Sequence, residues 1–521
     1  AKDPKADTQR GVVYALAPSF KNADTLWAGT DDGMIWLTRD AGKNWKDITP
    51  PELAAWSKVT QLAASRFDEE TAYASVSRFR IDDLHPFIYR THDAGKTWKL
   101  IVAGLPDNSP VDTIREDPLR KGLLFAGTET SVWISFDDGD HWQSLQLNLP
   151  HTSMRDLLIH DNDLIVATHG RSFWILDDIS PLRQIDAAVL KADAHLFNPA
   201  LAYRVRRDTN TDTPLPPDEP AGQNPPDKVV LDYYFATPAR GEVAVEILDS
   251  KNLIVRRFST TDKPEVTEED LEKQLIPLYW LRPERKLQTG AGMHRWLWDL
   301  RYPPPDSAHH GYPIAAVPGD TPRVPLGPSV LPGDYTVRLS ANGATYTAPL
   351  TVKMDPRVKA TMIDLAQQLQ TQSELADLLS RSSAALLQAR SLSKELDDRS
   401  ERAAGALKNA IADLQKKLIA AIGDPAAQSA NGMKNPTLTS VNGQVGTLYD
   451  QLDRADAAPT PAQSKATANL SAAFGSAIGG WDDIVESDLP ALNKELLGAN
   501  LQQIRIEAHP QREEVPQGDE E

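Results

Sequence analysis

Short apolar or alternating runs, broken by turn residues, fill the first third of the chain. Residues 12–17, 25–28, 34–38 and 44–48 form one group of four. Their period of two predicts strands. Comparable groups cover about 58–105 and 110–150, and a fourth starts at Met154 with runs over 156–160, 163–168 and 172–176. A polar, Pro-rich stretch follows, then alternation resumes over 229–237, 242–248, 253–258, 294–300, 331–340 and 344–352. Trp296 and Trp298 fall on one strand face, and Asn342-Gly343 is a preferred hairpin turn. From Val358 the apolar spacing changes to three and four, through Met362, Leu365, Leu369, Leu375, Leu378, Leu379 and Leu386. This predicts a long amphipathic helix to about Arg399, with Asp355 as its N-cap and Pro356 in its first turn. Further helices are expected over about 402–422 and 437–455, from Thr460-Pro461 onward, and over 487–503.

Within the strand groups one pattern recurs. Thr38-Arg39-Asp40-Ala41-Gly42-Lys43-Asn44-Trp45, Thr91-His92-Asp93-Ala94-Gly95-Lys96-Thr97-Trp98 and Ser135-Phe136-Asp137-Asp138-Gly139-Asp140-His141-Trp142 all read [S/T]-x-D-x-G-x-x-W. This is the Asp-box, or BNR repeat. The Asp carboxylate is suited to accept amides of its own turn. The Gly permits positive φ, and the Trp is expected to cap the turn. Asp40, Asp93 and Asp137 lie 53 and 44 residues apart, the period of a four-stranded propeller blade. In the fourth group Asp177-Asp178 stands where the box belongs, without its Gly or Trp, so this blade has decayed or lacks its outer strand. The expected organisation is Asp-box β-propeller blades over 1–182 and a Pro-rich linker over 183–227. An immunoglobulin- or fibronectin-III-like β-sandwich over 228–354, an antiparallel helical bundle over 355–503 and a disordered acidic tail over 504–521 complete it. The fold class is multidomain, mainly β with an α C-terminal domain.

Four blades are few for a closed ring. The chain also opens at Ala1 with almost no lead-in before the first strand. The favoured expectation is a C-terminal portion whose partial propeller is completed by another polypeptide, either the first half of the same precursor or a second copy. Contacts are expected near 12–17 and Ile175. A closed four-blade ring or a four-plus-four dimer is the competing reading. A net charge of -18 argues against nucleic acid and anionic membranes. Absence of Cys removes disulfides, thiolate zinc sites and a Cys nucleophile. The acids of the 208–220 stretch lack calcium-loop spacing and read as a solvated loop. His309-His310 has no third ligand in the sequence and reads as a surface loop. No metal and no cofactor is expected.

The order of propeller, sandwich and bundle resembles a family of large bacterial extracytoplasmic proteins, similar to the sortilin-type propeller and often labelled glycosyl hydrolase. The run Thr168-His169-Gly170-Arg171-Ser172-Phe173-Trp174 adds to the resemblance, which implies a periplasmic or secreted location and no established reaction. The loops joining second and third strands bring together Asp31 and Asp32, Arg78 and Arg80, Glu129, and His169 with Arg171. They read as a binding funnel or as a self-neutralising ring of ion pairs. Asp31, Asp32 and Glu129 are the carboxylate candidates for a glycoside hydrolase, and Arg78, Arg80, His169 and Arg171 are the binding candidates. The preferred function is non-catalytic binding or scaffolding of protein or glycan, with a sialidase- or glucanase-like hydrolase as the alternative.

Overall fold

Strand β6 (Ala72–Arg78) is buried along nearly its whole length, whereas β1 (Val13–Pro18) alternates between exposed and buried. Both strands belong to the first compact unit, residues 1–192. An interior blade is covered on both faces and an end blade on one. The structure, a computed structural model, describes residues 11–206, 222, 224–264, 266–272, 276–282, 285–313, 319, 321–423 and 435–507.

The first unit consists of successive antiparallel meanders. β1, β2 (Leu26–Thr30), β3 (Ile35–Thr38) and β4 (Lys46–Asp47) form the first. β5 (Lys58–Ala64), β6, β7 (Asp83–Thr91) and β8 (Lys99–Leu100) form the second. β9 (Val111–Glu116), β10 (Leu124–Thr128), β11 (Val132–Ser135) and β12 (Gln143–Ser144) form the third. β13 (Met154–His160), β14 (Asp163–Thr168) and β15 (Phe173–Leu176) form the fourth, which has three strands. The sheets pack face to face in sequence, as propeller blades do. Separate apolar clusters join the first to the second, the second to the third and the third to the fourth.

The repeated turns are held as local chemistry dictates. Asp40, Asp93 and Asp137 accept the amides of Asn44, Thr97 and His141 at 2.9, 2.8 and 2.9 Å. The preceding hydroxyls of Thr38, Thr91 and Ser135 accept the amides of Gly42, Gly95 and Gly139, each glycine having positive φ. Trp45 lies against Gly42 of its own turn, as expected, whereas the other two indoles reach further. Trp98 donates to the Ile48 carbonyl of the preceding blade at 2.7 Å, and Trp142 to the Ile101 carbonyl at 2.9 Å. The two-residue outer strands are too short to bed an indole, so the ring crosses to its neighbour. The surfaces open at the ends of this series are sheet faces, because the blades stack face on face.

The second unit begins at Asp193. Part of the expected linker belongs to it. β16 (Ala194–Leu196) pairs with β18 (Val229–Phe235), and β17 (Ala202–Arg204) pairs in parallel with β23 (Ala344–Met354). These three-residue strands are too short to show a period in the sequence. The acidic 208–220 stretch lies outside the described residues, as does the tail beyond 507. One sheet runs β16-β18-β21, with β21 at Gly292–Trp298. The other runs β17-β23-β22-β19-β20, with β19 at Ala244–Leu248, β20 at Ile254–Ser259 and β22 at Gly333–Ala341. The sheets share one apolar core that includes Trp296 and Trp298. A short helix α1 (Glu268–Glu272) lies between β20 and β21.

The helical region contains α2 (Met362–Arg402), α3 (Gly405–Ile422), α4 (Leu438–Asp453), α5 (Pro461–Asp483) and α6 (Leu489–Gly498) around one core. α2 is capped by Thr361, whose hydroxyl accepts the Asp364 amide while Asp364 answers the Thr361 amide. Asp355, the expected cap, instead binds the Arg357 guanidinium at 2.6 Å. Buried Arg204 and the half-buried Arg206 converge on Asp456, and Arg301 binds Asp453 at 2.9 Å. These pairs tie sheet residues to the end of α4. His309 is exposed, and the half-buried His310 accepts the Ser307 amide at 3.2 Å.

Candidate functional site

Each innermost strand carries a β-bulge at the same place. The register slips between Val13 and Ala15, Val59 and Gln61, and Met154 and Asp156, and opposite Thr128 between Val111 and Thr113. The extra residues are Tyr14, Thr60, Asp112 and Arg155. A bulge re-aims one side chain and is common beside functional sites. These four residues stand at the strand ends that also carry the candidate loops, because Val13, Val59, Val111 and Met154 pair with Thr30, Val76, Thr128 and Thr168.

The loops are built alike. The hydroxyls of Thr30, Thr128 and Thr168 accept amides of Met34, Ser131 and Arg171. The amides of Asp31, Glu129 and His169 then donate to Val12, Pro110 and Ser153 carbonyls at 3.0, 3.0 and 2.9 Å. Asp31, Glu129 and His169 are therefore equivalent positions on the first, third and fourth blades. Their side chains have different fates. Asp31 accepts the Val12 amide at 2.8 Å, and Asp32 accepts the Thr30 hydroxyl at 2.5 Å. Both carboxylates thus brace their own turn. His169 and Arg171 are exposed. Arg78 pairs with Asp83 at 2.7 Å, and Arg80 is exposed in a single turn at Phe79–Ile81.

Glu129 belongs to a cluster whose other members the motif reading missed. Arg155 bridges Asp112 at 3.2 Å and Glu129 at 3.3 Å, and the Ser153 hydroxyl donates to Asp112 at 3.2 Å. Asp112 is buried, and its carboxylate shares the Arg155 guanidinium with Glu129. Burial, and then the adjacent Glu129 charge, push the Asp112 carboxyl up to about 6, against the pull of Arg155. The signal was present in the repeat. Val59-Thr60-Gln61-Leu62, Val111-Asp112-Thr113-Ile114 and Met154-Arg155-Asp156-Leu157 align, with a variable polar residue between fixed apolar ones.

Beside Arg78 lies an open concavity of about 480 Å³, lined by Asp82, Asp83, Leu84, His85, Asp107 and Asn108. His85 binds Asp83 at 2.7 Å, and this hydrogen bond above all holds the Asp83 carboxyl below its ordinary range. Phe79, Ile81 and Leu84 expose apolar surface nearby in sequence. No group of three His, Cys, Asp or Glu able to hold a metal ion occurs among the described residues. The arrangement offers acceptors, two exposed cations and apolar side chains on one rim. That chemistry suits polyol or peptide contacts.

No protein-family model matches the chain. Over 115 residues it is 30% identical to an oligoxyloglucan-reducing end-specific xyloglucanase of Emericella nidulans, a stretch covering 21% of this chain and 14% of that protein. Over 79 residues it is 39% identical to vacuolar protein sorting/targeting protein 10 of Pyrenophora teres f. teres, covering 15% of this chain and 5% of that protein. The matched stretch thus spans a small fraction of either relative's length. Among solved structures, YCF48 bound to D1 peptide aligns at 16% identity and a TM-score of 0.27, covering 33% of this chain and 53% of that chain. The GH74 xyloglucanase from Xanthomonas campestris aligns at 12% identity and a TM-score of 0.27, covering 65% and 45%. The two sequence matches support the sortilin- and Asp-box-type propeller resemblance carried by the repeats.

Proposed function

We propose that this chain is an extracytoplasmic binding or scaffold protein. In this reading the loops beside the four bulges contact a protein or a glycan without cleaving it. The two sheets of the second unit act as an immunoglobulin-like accessory domain and its helices as a bundle. The observation that carries the reading is the state of the carboxylates. Glycosidic cleavage needs two carboxyl groups about 5–9.5 Å apart, across the sugar. Here Asp112 and Glu129 are bridged by the same Arg155 nitrogen, while Asp31 and Asp32 brace their own loop. A periplasmic or secreted bacterial location follows from the family resemblance alone.

The second reading, a glycoside hydrolase, draws on the stretch shared with the xyloglucanase. In that case Asp112, protonated up to about 6, is the group able to protonate a leaving oxygen. Incubation with xyloglucan oligosaccharides, other polysaccharides and aryl glycosides separates the two. We expect no turnover, with retention of one or more glycans or peptides on an immobilised sample. Turnover that disappears in both Asp112→Asn and Glu129→Gln, with the fold intact, would establish the hydrolase.

A further inference from the structure

The first blade exposes a face that its sister blades bury. Across the second blade, Leu62, Ala74 and Tyr89 lie in one cross-strand row on the face turned to the first blade. The third and fourth blades repeat it as Ile114-Ala126-Trp133 and Leu157-Val166-Trp174. The first blade has the same row, Leu16-Ala28-Trp36. Leu62, Ile114 and Leu157 are buried, yet Leu16 is 58% exposed. One step along, Val59, Val111 and Met154 are buried and their equivalent Val13 is 59% exposed.

The Asp-box gives independent support. Trp98 and Trp142 each bond the carbonyl of an Ile that follows the outer strand of the preceding blade. Their glycines are pressed against the same Ile. A Cβ on Gly95 would come within 2.6 Å of Ile48, and one on Gly139 within 2.3 Å of Ile101. At Gly42 the nearest atoms are those of Trp45 in the same turn, at 3.8 Å, and Trp45 is 40% exposed. The first blade therefore carries the row, the indole and the cleared glycine of an inter-blade contact.

We propose that this face docks a complete four-stranded blade belonging to a polypeptide segment outside these 521 residues. The chemistry of that blade is read from the faces that meet Leu62 and Ile114. Its second strand carries a large aromatic residue, as Trp27 and Tyr73 do. Gly or Ser stands two positions later, like Gly29 and Ser75, opposite an aliphatic residue such as Ile35 or Ile88. An Ile with an accepting carbonyl follows its outer strand. A second copy of this chain meets the last requirement poorly, because its terminal blade has three strands and so lacks the outer one.

The test uses the full chain with residues 12–57 repeated once ahead of residue 12, and Trp45 of the added copy replaced by Phe. Hydroxyl-radical labelling of the original Trp45 is expected to fall from its level in the unextended chain to that of Trp142. Leu16→Asp in the original blade should restore it. If the added residues stay protease-sensitive, residues 58–109 serve as a second added blade. Failure of both blades to protect Trp45 overturns the proposal. Sedimentation of the unextended chain is expected to show a 57.3 kDa monomer. A dimer dispersed by Leu16→Asp would identify a second copy as the occupant and overturn it too.

Discussion

Asp112 keeps its proton to about 6, while an ordinary aspartate releases it near 3.8. The folded state thus binds more protons than the unfolded state between these values. Stability from this group is present below about 4 and declines as pH rises through about 6. The loss is about 2–3 kcal/mol, since a tenfold change in proton affinity corresponds to about 1.4 kcal/mol. Replacing Asp112 by Asn removes the titration. We expect the urea midpoint of the wild type to fall relative to Asp112→Asn between pH 4.5 and pH 7.5; parallel midpoints would deny the raised Asp112 carboxyl. Glu129 and Arg155 were visible as residues in the sequence, and Glu129 as a candidate. Their contact with Asp112 was not, because it joins a loop and two inner strands from neighbouring blades. Arg78 was similarly visible as a cation, but its neutralisation by Asp83 depends on how the 79–83 turn folds back.

At the scale of elements, the repeated turns and the tryptophans behave oppositely. The Asp–amide and hydroxyl–glycine bonds close within a few residues, so the eight-residue pattern specifies them wherever it occurs. The indoles bond across blades, so their energetics depend on position in the series. Trp142→Phe removes a hydrogen bond donated by a buried indole, and we expect it to cost about 1–3 kcal/mol. Trp45→Phe, in the same motif but exposed, should stay within about 0.5 kcal/mol of wild type. Chemical denaturation of both variants checks this, and equal losses would contradict the assigned contacts. Helix α2 makes the same point about local signals. Its apolar spacing located it, but Thr361 and not Asp355 caps it, because Asp364 stands three residues after Thr361 and closes the capping box.

Within the second unit, ion pairs bind the sheets to the helices. The Asp456 carboxylate is buried, as is the Arg204 guanidinium it meets, and Arg206 shares it. Burial works against this carboxylate, yet the two guanidinium groups hold it below its ordinary range. Removing one partner leaves a charge buried without compensation, which costs about 3–5 kcal/mol. Asp456→Ala is therefore expected to lower the melting transition of the second unit and to make α4 and β17 protease-sensitive together. Independent melting of sheets and helices in the wild type would refute this coupling. The strands β16 and β17 illustrate why the start of this unit was misplaced. Three residues show no period, and only their partners β18 and β23 define them.

The sequence alone determined the features whose physics is local: the repeated Asp-to-amide turns, the strand and helix phases, the four-fold repetition and the altered end of the fourth group. Tertiary structure decided everything that depends on what lies opposite a residue. The same Leu position is core in Leu62 and surface in Leu16, and the same motif buries Trp142 and exposes Trp45. Identical local sequence rules cannot distinguish them, because burial belongs to the neighbour that supplies the covering face.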